Sequence, residues 1–311
     1  MSSCTFALPC GRQLGYAVVG EGAPVLYFHG TASSRLEIFL LRQFAQRYRF
    51  KLVGVDRPGY GLSTFTPRRS LRDFAEDADK LATHLRLGRF ALLSWSGGGP
   101  FALAYLARFP QRVSRAVIAC SPALPFNVAS AHNNNPLAKF AMKNQRLAVW
   151  ALKSFKKSVL KAQLNIEDYL ASKDGKRMLA SWPEPDVKFF ANPAWLKLLY
   201  TSTAEALRQG DSSLKTIVQE HQLFMKPWSE PLECIPAGKL VLWQGIQDRT
   251  VQPSNAYKIA HAVKGVQLEF FPQEGHCVLF AKTQKLSSAL NPSKLNCDAA
   301  AADAGGGPDR I

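Results

Sequence analysis

The sequence predicts an α/β protein with a largely parallel β-sheet, helices on both faces of that sheet, and a long helical insertion. Two patterns predict this class. In the first 125 residues, short apolar or β-branched runs alternate with longer stretches whose apolar residues recur at helical spacing. Such strand–helix–strand repetition is typical of parallel sheets. After residue 125 the pattern is helical, and strand character returns only at residue 239.

These runs assign the elements in chain order. Buried strands are predicted at residues 25–28, 51–55, 90–93, 116–119, 239–243 and 267–271. The helical spacing of apolar side chains predicts helices at residues 36–48, 70–85 and 99–109. We therefore expect an α/β core of residues 1–126 and 236–290, with residues 127–235 inserted as a helical cap. Residues 291–311 are rich in Ala and Gly and are expected to form a disordered tail.

The net charge of the chain bears on which classes of partner are expected. The 311 residues include 39 Lys and Arg against 23 Asp and Glu, a net charge of +16. A basic excess suggests nucleic acid or an anionic membrane. This excess is spread along the whole sequence, without a basic tail or a nucleic-acid-binding motif, so we expect no nucleic-acid partner. Disorder of the whole chain is excluded, because 47% hydrophobic and 20% charged residues are ordinary for a globular protein.

Neither a membrane span nor a metal site is expected. The longest uncharged stretch, residues 90–107, contains serines, three consecutive glycines and a proline, which predict a strand, a turn and a helix. The first 20 residues lack the basic-then-apolar order of a secretory leader, so we expect a cytoplasmic location. The six cysteines show no paired spacing and are expected to be reduced thiols. We expect no cofactor.

The most specific local motif follows one predicted strand and precedes a predicted helix. It reads Ser94-Trp95-Ser96-Gly97-Gly98. This small-x-Ser-x-small pattern is the form of a nucleophile elbow, in which a strained turn lifts the middle serine above the sheet. Small residues are needed on both sides, because larger side chains would collide in so tight a turn. The motif predicts Ser96 as a nucleophile; the alternative is a glycine-rich turn with an ordinary serine.

A nucleophilic serine needs a base, and the base needs an orienting carboxylate. In elbow proteins the order is Ser, Asp, His, with each partner in a loop after a late strand. Asp248 lies in the loop after the predicted strand at 239–243, and His276 lies in the loop after the strand at 267–271. Each residue alone has a common structural explanation. Their order and positions together predict a catalytic triad with Ser96.

The loop after the first predicted parallel strand reads His29-Gly30-Thr31. In elbow proteins, one backbone N–H of this loop and the N–H of the residue after the nucleophile form an oxyanion hole. This assigns the N–H groups of Thr31 and Gly97. We expect His29 to brace the loop by hydrogen bonding at the edge of the substrate pocket, and not to transfer protons.

With these residues, the chain resembles the α/β-hydrolase superfamily over roughly residues 5–290. The likeness is to the family typified by proline iminopeptidases, bacterial carboxylesterases and cofactor-free haloperoxidases. It rests on His29-Gly-Thr, Asp56-Arg-Pro-Gly-Tyr-Gly-Leu-Ser63, Ser94-Trp-Ser-Gly-Gly98, Gly245-Ile-Gln-Asp248 and Glu274-Gly-His276. The resemblance implies an eight-stranded, mostly parallel sheet and a helical cap between strands six and seven. It also implies hydrolysis of an ester, amide or related acyl bond.

The expected function is serine hydrolysis through an acyl-enzyme, with a small or medium acyl ester as the substrate. Serine at position 96, where haloalkane dehalogenases and epoxide hydrolases have aspartate, argues against their chemistry. An aminopeptidase of the proline iminopeptidase type is the alternative; it would need acidic cap residues for the substrate ammonium, and Glu205, Glu220 and Glu230 are available. A non-catalytic ligand receptor on the same fold is a third hypothesis, against which the complete Ser, Asp and His set argues.

The insertion contains a basic amphipathic stretch at residues 137–164, with seven Lys and Arg and no Asp or Glu. It could lie on an anionic membrane or form a roof over the substrate pocket. The roof is the preferred interpretation. Apolar residues recur along it at about one or two helical turns: Phe140, Leu147, Ala148, Ala151, Phe155 and Val159. The predicted apolar face also includes Trp150. We expect Trp150 and Phe155, together with Trp95 of the elbow, to line the substrate pocket. The sequence does not set an oligomeric state.

Overall fold

A computed structural model describes residues 3–126 and 144–290. Those residues form a sheet of eight strands: β1 (Ser3–Ala7), β2 (Gln13–Val19), β3 (Ala23–Phe28), β4 (Phe50–Val55), β5 (Phe90–Trp95), β6 (Val113–Ala119), β7 (Leu240–Gly245) and β8 (Gln267–Phe271). The strand order is β1-β2-β4-β3-β5-β6-β7-β8. The pairs β1–β2 and β2–β4 are antiparallel, and all the other pairs are parallel. The prediction of a mostly parallel eight-stranded sheet is confirmed.

The helices of the described residues lie before, within and after a long segment between β6 and β7. They are α1 (Arg42–Tyr48), α2 (Leu71–His84), α3 (Gly99–Arg108), α4 (Gln145–Leu164), α5 (Ile166–Ala171), α6 (Lys173–Ser181), α7 (Glu184–Phe190), α8 (Pro193–Ala206), α9 (Asp211–Phe224), α10 (Ser254–Ala262), α11 (Val278–Ala281) and α12 (Thr283–Leu290). Residues 35–41 form a 3₁₀ segment ahead of α1. Within 3–126 and 144–290, every helix is too short or too polar to cross a bilayer.

The middle strands are buried on both faces, because helices cover the sheet from two sides. Every residue of β5 is buried. Leu92 of β5 lies in the apolar core that includes Phe74 of α2 and Phe101 of α3. Its neighbour Leu93 points to the opposite face and lies in a second core with Phe44 of α1. Burial on both faces explains why these strands are continuous apolar runs in the sequence.

The antiparallel strands β1 and β2 were not predicted from the apolar pattern. Most of β1 is exposed, because this strand is the edge of the sheet and pairs only with β2. An exposed edge strand does not need the continuous apolar run that marks a buried parallel strand. The exposure of β1 therefore explains why this strand was missed, whereas β2 is mostly buried.

Helix α8, in the segment between β6 and β7, contacts the core through polar groups. Ser202 of α8 is within 2.9 Å of the hydroxyls of both Ser33 and Ser34. Arg35 pairs with Glu205 of α8 at 2.8 Å. The division of the chain into core and cap remains our proposal. The predictions for residues 127–143, including Phe140 as part of the apolar face, and for the tail at 291–311 lie outside the described residues.

Candidate active site

Ser96 stands at the turn between β5 and α3, as the elbow motif predicts. Its φ angle is +52°, in the left-handed region that costs energy for a residue with a side chain. The next two residues have no room for a side chain: a Cβ at Gly97 would collide with the hydroxyl of Thr31, and one at Gly98 would collide with the carbonyl oxygen of Phe28. The glycines therefore let the turn pack directly against the loop after β3.

The structure brings Ser96, His276 and Asp248 together in one hydrogen-bonded chain. His276 Nε2 is 2.9 Å from Ser96 Oγ, and His276 Nδ1 is 2.7 Å from Asp248 Oδ2. The other carboxylate oxygen, Asp248 Oδ1, accepts the backbone N–H groups of Thr250 at 2.8 Å and Val251 at 2.9 Å. These bonds fix the carboxylate, which accepts a hydrogen bond from the Nδ1–H group, so that the Nε2 lone pair faces the serine hydroxyl.

The surroundings of His276 favour its charged form. Burial disfavours a charged imidazole, but the nearby carboxylates of Asp248, Asp186 and Glu37 outweigh burial and raise the pKa of His276 above its ordinary 6.5. The hydrogen bond from Nδ1 to Asp248 acts in the same direction. The arrangement can therefore take up a proton at Nε2 and hold the resulting imidazolium.

Thr31 and Gly97 lie side by side next to Ser96. The backbone nitrogen of Thr31 is 3.1 Å from the position that a Cβ on Gly97 would occupy. Gly97 also lies in the first turn after β5, residues 96–98, where a helical N–H has no partner within its own turn. The backbone of Thr31 thus lies against Gly97, and an oxyanion hole formed by these two N–H groups stays a prediction.

His29 does not line a pocket, which corrects that part of the prediction. Its side chain is fully buried, with Nδ1 2.8 Å from the carbonyl oxygen of Gly30 and Nε2 accepting the backbone N–H of Arg57 at 3.3 Å. Burial, with the positive charge of Arg57, holds the pKa of His29 well below its usual value. A neutral imidazole with both nitrogens bonded to the backbone braces the loop and has no atom left for a substrate.

The side chain of Trp95 packs beside the histidine, and its place in the substrate pocket stays a prediction. Its indole N–H donates to the backbone carbonyl of His276 at 2.8 Å, and its ring centroid is 5.0 Å from that of the imidazole and 5.0 Å from that of Phe280. Only 6% of Trp95 is exposed. The period-two alternation along a strand gives the face on which a side chain lies, but not whether that face meets substrate or protein at the strand end.

The helix expected to roof the pocket, α4, buries part of its predicted apolar face, namely Ala148 and Val159. The buried residues of α4 are Ala148, Val149, Val159 and Ala162. Trp150 is 70% exposed on the other side of the helix, so it does not line a pocket and that prediction is wrong. Phe155 is 39% exposed and lies near the buried stripe, so its role in the pocket stays a prediction. Contact of this helix with a membrane surface also stays a prediction.

Two residues near His276 were missed by the sequence analysis. Asp186 of α7 accepts the backbone N–H of His276 at 2.9 Å and that of Cys277 at 2.8 Å. Trp182, just before α7, has its ring centroid 6.1 Å from the imidazole. The sequence around them reads as a proline-containing turn, and nothing in that pattern shows that it reaches a loop far along the chain.

One cluster in the described residues has the ligand types of a metal site. Atoms of Cys120, Asp248 and His276 lie within 4.8 Å of one another. The Asp248 carboxylate and both nitrogens of His276 are already engaged in hydrogen bonds. Burial and the neighbouring Asp248 carboxylate raise the pKa of the Cys120 thiol well above its ordinary value, so it stays protonated. The absence of a metal and of a cofactor from the expected mechanism stays a prediction.

Comparison with known proteins gives one family model and one relative that match most of this chain, and another relative that matches about a third of it. A family model described as "alpha/beta hydrolase fold" matches residues 23–283. The "AB hydrolase superfamily protein YisY" of Bacillus subtilis (strain 168) is 22% identical over 275 residues, which are 88% of this chain and 91% of that protein. The "Serine hydrolase BPHL" of Mus musculus is 37% identical over 114 residues, 35% of this chain and 39% of that protein. The latter match thus spans well under half of the relative.

Solved structures share the architecture at low sequence identity. A thermophilic esterase from Thermogutta terrifontis superposes with a TM-score of 0.64 at 17% identity, covering 95% of this chain and 99% of that chain. An esterase from Exiguobacterium antarcticum gives a TM-score of 0.61 at 19% identity, covering 93% of this chain and 98% of that chain. At such identities the likeness shows the fold.

Proposed function

The chain belongs to the α/β-hydrolase fold family, and from that premise we propose that it is a serine hydrolase cleaving a small or medium-sized carboxylic ester. One observation carries the proposal: the continuous chain from Ser96 Oγ to His276 Nε2 at 2.9 Å and from His276 Nδ1 to Asp248 Oδ2 at 2.7 Å. A serine hydroxyl, a base and an orienting carboxylate at these distances have the roles and geometry of a catalytic triad.

In the first half of the proposed reaction the acyl group of the ester is transferred to Ser96. Ser96 Oγ attacks the carbonyl carbon while His276 Nε2 takes the hydroxyl proton. The negative charge that forms on the carbonyl oxygen accepts hydrogen bonds from the N–H groups of Thr31 and Gly97. Asp248 stabilises the imidazolium. The tetrahedral intermediate then breaks the bond to the alcohol oxygen, which takes the proton from His276 and leaves as the alcohol.

In the second half water removes the acyl group. His276 takes a proton from a water molecule, whose oxygen attacks the carbonyl carbon of the acyl-Ser96 ester. The same two N–H groups bind the second oxyanion. The bond to Ser96 Oγ breaks, His276 returns the proton to that oxygen, and the carboxylic acid leaves. The sum is one ester and one water converted to one acid and one alcohol.

The ion pairs made by two of the three candidate acidic residues favour an esterase over an aminopeptidase. Glu220 is fully buried and paired with Arg57 at 2.7 Å and with Arg69. Glu205 is paired with Arg35 at 2.8 Å and with Arg208 at 3.0 Å. A carboxylate already neutralised by two guanidinium groups has little charge left for a substrate ammonium. The third candidate, Glu230, takes part in none of these four ion pairs.

An activity screen tests the proposal. Purified protein would be assayed with p-nitrophenyl esters of increasing acyl length beside prolyl and alanyl p-nitroanilides. We expect saturable ester hydrolysis, with kcat/KM highest for a short or medium acyl chain, and negligible cleavage of the anilides. Faster cleavage of prolyl p-nitroanilide would favour the aminopeptidase. Binding of esters without turnover, and without labelling by a fluorophosphonate, would favour a ligand receptor.

A further inference from the structure

The carboxylate of Asp186 occupies an unusual place for a charged group. Only 1% of this residue is exposed, and it takes part in none of the ion pairs that link the described residues. Burying a charge without a partner is costly, and burial indeed raises the pKa of Asp186. A residue that costs stability at such a position needs a compensating interaction.

That interaction is with the backbone that carries the catalytic histidine. One carboxylate oxygen accepts the N–H of His276 at 2.9 Å, and the other accepts the N–H of Cys277 at 2.8 Å. Hydrogen bonds to a charged acceptor are about twice as strong as neutral ones. The fit is close, because a Cβ at Gly275 would collide with the carboxylate. The two elements that meet here, α7 and the loop after β8, are 90 residues apart in the sequence.

We propose that Asp186 is a positioning residue for His276: it fixes the backbone of the histidine loop, so the triad is aligned only while α7 is docked on the core. This inference rests on the proposed serine-hydrolase function. His276 is held from three sides: Asp248 binds the imidazole at 2.7 Å, the Trp95 indole binds its carbonyl at 2.8 Å, and Asp186 binds its N–H. Of these three, only Asp186 comes from the segment between β6 and β7.

The carboxylate also acts on the imidazole through its charge. The acidic groups that face His276 are Asp248 from the loop after β7, Asp186 from α7 and Glu37 from the 3₁₀ segment. The neighbouring thiols of Cys120 and Cys277 are neutral, because burial raises the pKa of each. Neutralising Asp186 therefore removes one of three negative charges that favour the imidazolium. The pKa of His276 should fall, and the acid limb of the pH–rate profile should move to lower pH.

The experiment compares Asp186→Asn and Asp186→Ser with a charge control on the same helix. Asparagine keeps the size of the side chain, but its NH₂ group would replace one of the two acceptor oxygens. One of the two backbone N–H groups would then face another donor and lose its hydrogen bond. Serine is smaller and can still accept one N–H, so it provides a second variant if the first does not fold. Glu184→Gln removes one negative charge from an exposed pair with Lys188 at 2.7 Å. Active sites are counted by fluorophosphonate titration, and kcat, KM and the pH profile are measured per titrated site.

For both Asp186 variants we expect kcat per titrated site to fall by about 10²-fold, the cost of a catalytic group displaced by roughly 1 Å. KM should change far less, and the acid limb should move to lower pH. Glu184→Gln should match the wild type. An Asp186 role confined to folding would instead lower the number of titrated sites and leave kcat per site and the acid limb unchanged, which would overturn the proposal. A wild type that neither labels nor turns over would contradict the proposed function itself.

Discussion

At the scale of single residues, the reactivity of this site depends on which polar atoms are already satisfied. Asp248 uses one oxygen for two backbone N–H groups and the other for the imidazole. His29, which lies in the loop after β3, has both ring nitrogens bonded to backbone groups. Of these two histidines, only His276 has a ring nitrogen that faces a hydroxyl. The hydrogen-bond partners of each ring therefore determine that His276 can act as a base, whereas His29 holds its loop in place.

Replacing Asp248 tests the orienting carboxylate. In Asp248→Asn the side-chain shape is kept, but the amide cannot stabilise an imidazolium and favours the wrong histidine tautomer. We expect kcat to fall by about 10⁴ with ester substrates. The control is Glu274→Gln, which removes an acidic group two residues from His276 that pairs with Lys282 at 2.6 Å. Activity of Asp248→Asn close to the wild-type value would mean that another carboxylate orients the histidine.

The raised pKa of His276 predicts the pH dependence of hydrolysis. The base must be neutral to accept the serine proton, so activity is lost as pH falls through the pKa of the histidine. Because the neighbouring carboxylates outweigh burial, we expect the acid inflection of kcat/KM above the ordinary histidine value of 6.5. The measurement is a rate profile from pH 5 to 9 at constant ionic strength. A profile flat over this range, or an inflection below 6.5, would disagree with this electrostatic account.

Several residues of the site were predictable because their positions depend on local order alone. A small-x-Ser-x-small turn after a strand predicts where the Ser96 hydroxyl must emerge, and residues after the last two parallel strands must come to the same sheet edge. The directions of Trp95 and His29 were not predictable, since they depend on which atoms of distant loops fill the space beside them. Assigning catalytic roles to Ser96, His276 and Asp248 remains our proposal.

At the scale of elements, buried charges connect helix α9 to the core. The Glu220 carboxylate accepts hydrogen bonds from Arg57 Nε at 2.7 Å and the Tyr60 hydroxyl at 3.0 Å, and it also pairs with Arg69. Arg57 donates in turn to the backbone carbonyls of His29 and Gly30, the loop that precedes Thr31. One helix between β6 and β7 is thereby tied to the loop of the expected oxyanion hole.

Glu220→Gln should therefore destabilise the protein strongly. Removing one partner leaves two buried guanidinium groups without a counter-charge, and breaking a buried pair in this way costs about 3–5 kcal/mol. The exposed pair of Glu184 and Lys188 provides the matched control, because solvent screens this pair and Glu184→Gln should leave the free energy of unfolding essentially unchanged. Urea unfolding of the two variants and the wild type measures both values. Equal stabilities of the two variants would contradict the importance of this cluster.

The exposed position of Trp150 predicts that replacing this residue has little effect on the enzyme. The apolar face predicted for α4 includes Ala148 and Val159, which the structure buries, and also Trp150, which is exposed. Hydrophobicity in the sequence could not give the rotation of the helix, because large apolar residues occur on both sides of it.

Trp150→Ala should keep kcat/KM for every ester within about twofold of the wild type, since surface substitutions usually change free energies by about 0.5 kcal/mol or less. Phe155→Ala, at the edge of the buried stripe, is the companion variant. The two are compared by their kcat/KM across a series of acyl chain lengths. A changed chain-length preference in Trp150→Ala would contradict the exposed position of this side chain.

At the scale of the whole molecule, a parallel sheet gathers distant residues at one edge. Ser96 and His276 are 180 residues apart in the sequence but adjacent in the structure. The strand pattern predicts this meeting, because the carboxyl ends of parallel strands share an edge. It does not predict Asp186, whose helix reaches that edge through the packing of the segment between β6 and β7. The net charge of +16 and the cytoplasmic location predicted from the sequence do not enter the chemistry of the site.

The central claim is that Ser96 is the nucleophile, and peptide mapping after fluorophosphonate labelling tests it most directly. Ser94, two residues away, is fully buried within β5 and provides the control. The wild type and Ser94→Ala should carry the label on Ser96, whereas Ser96→Ala should remain folded, take no label and lose activity by on the order of 10⁶ in kcat. A label on Ser94, or a labelled and active Ser96→Ala, would contradict the account.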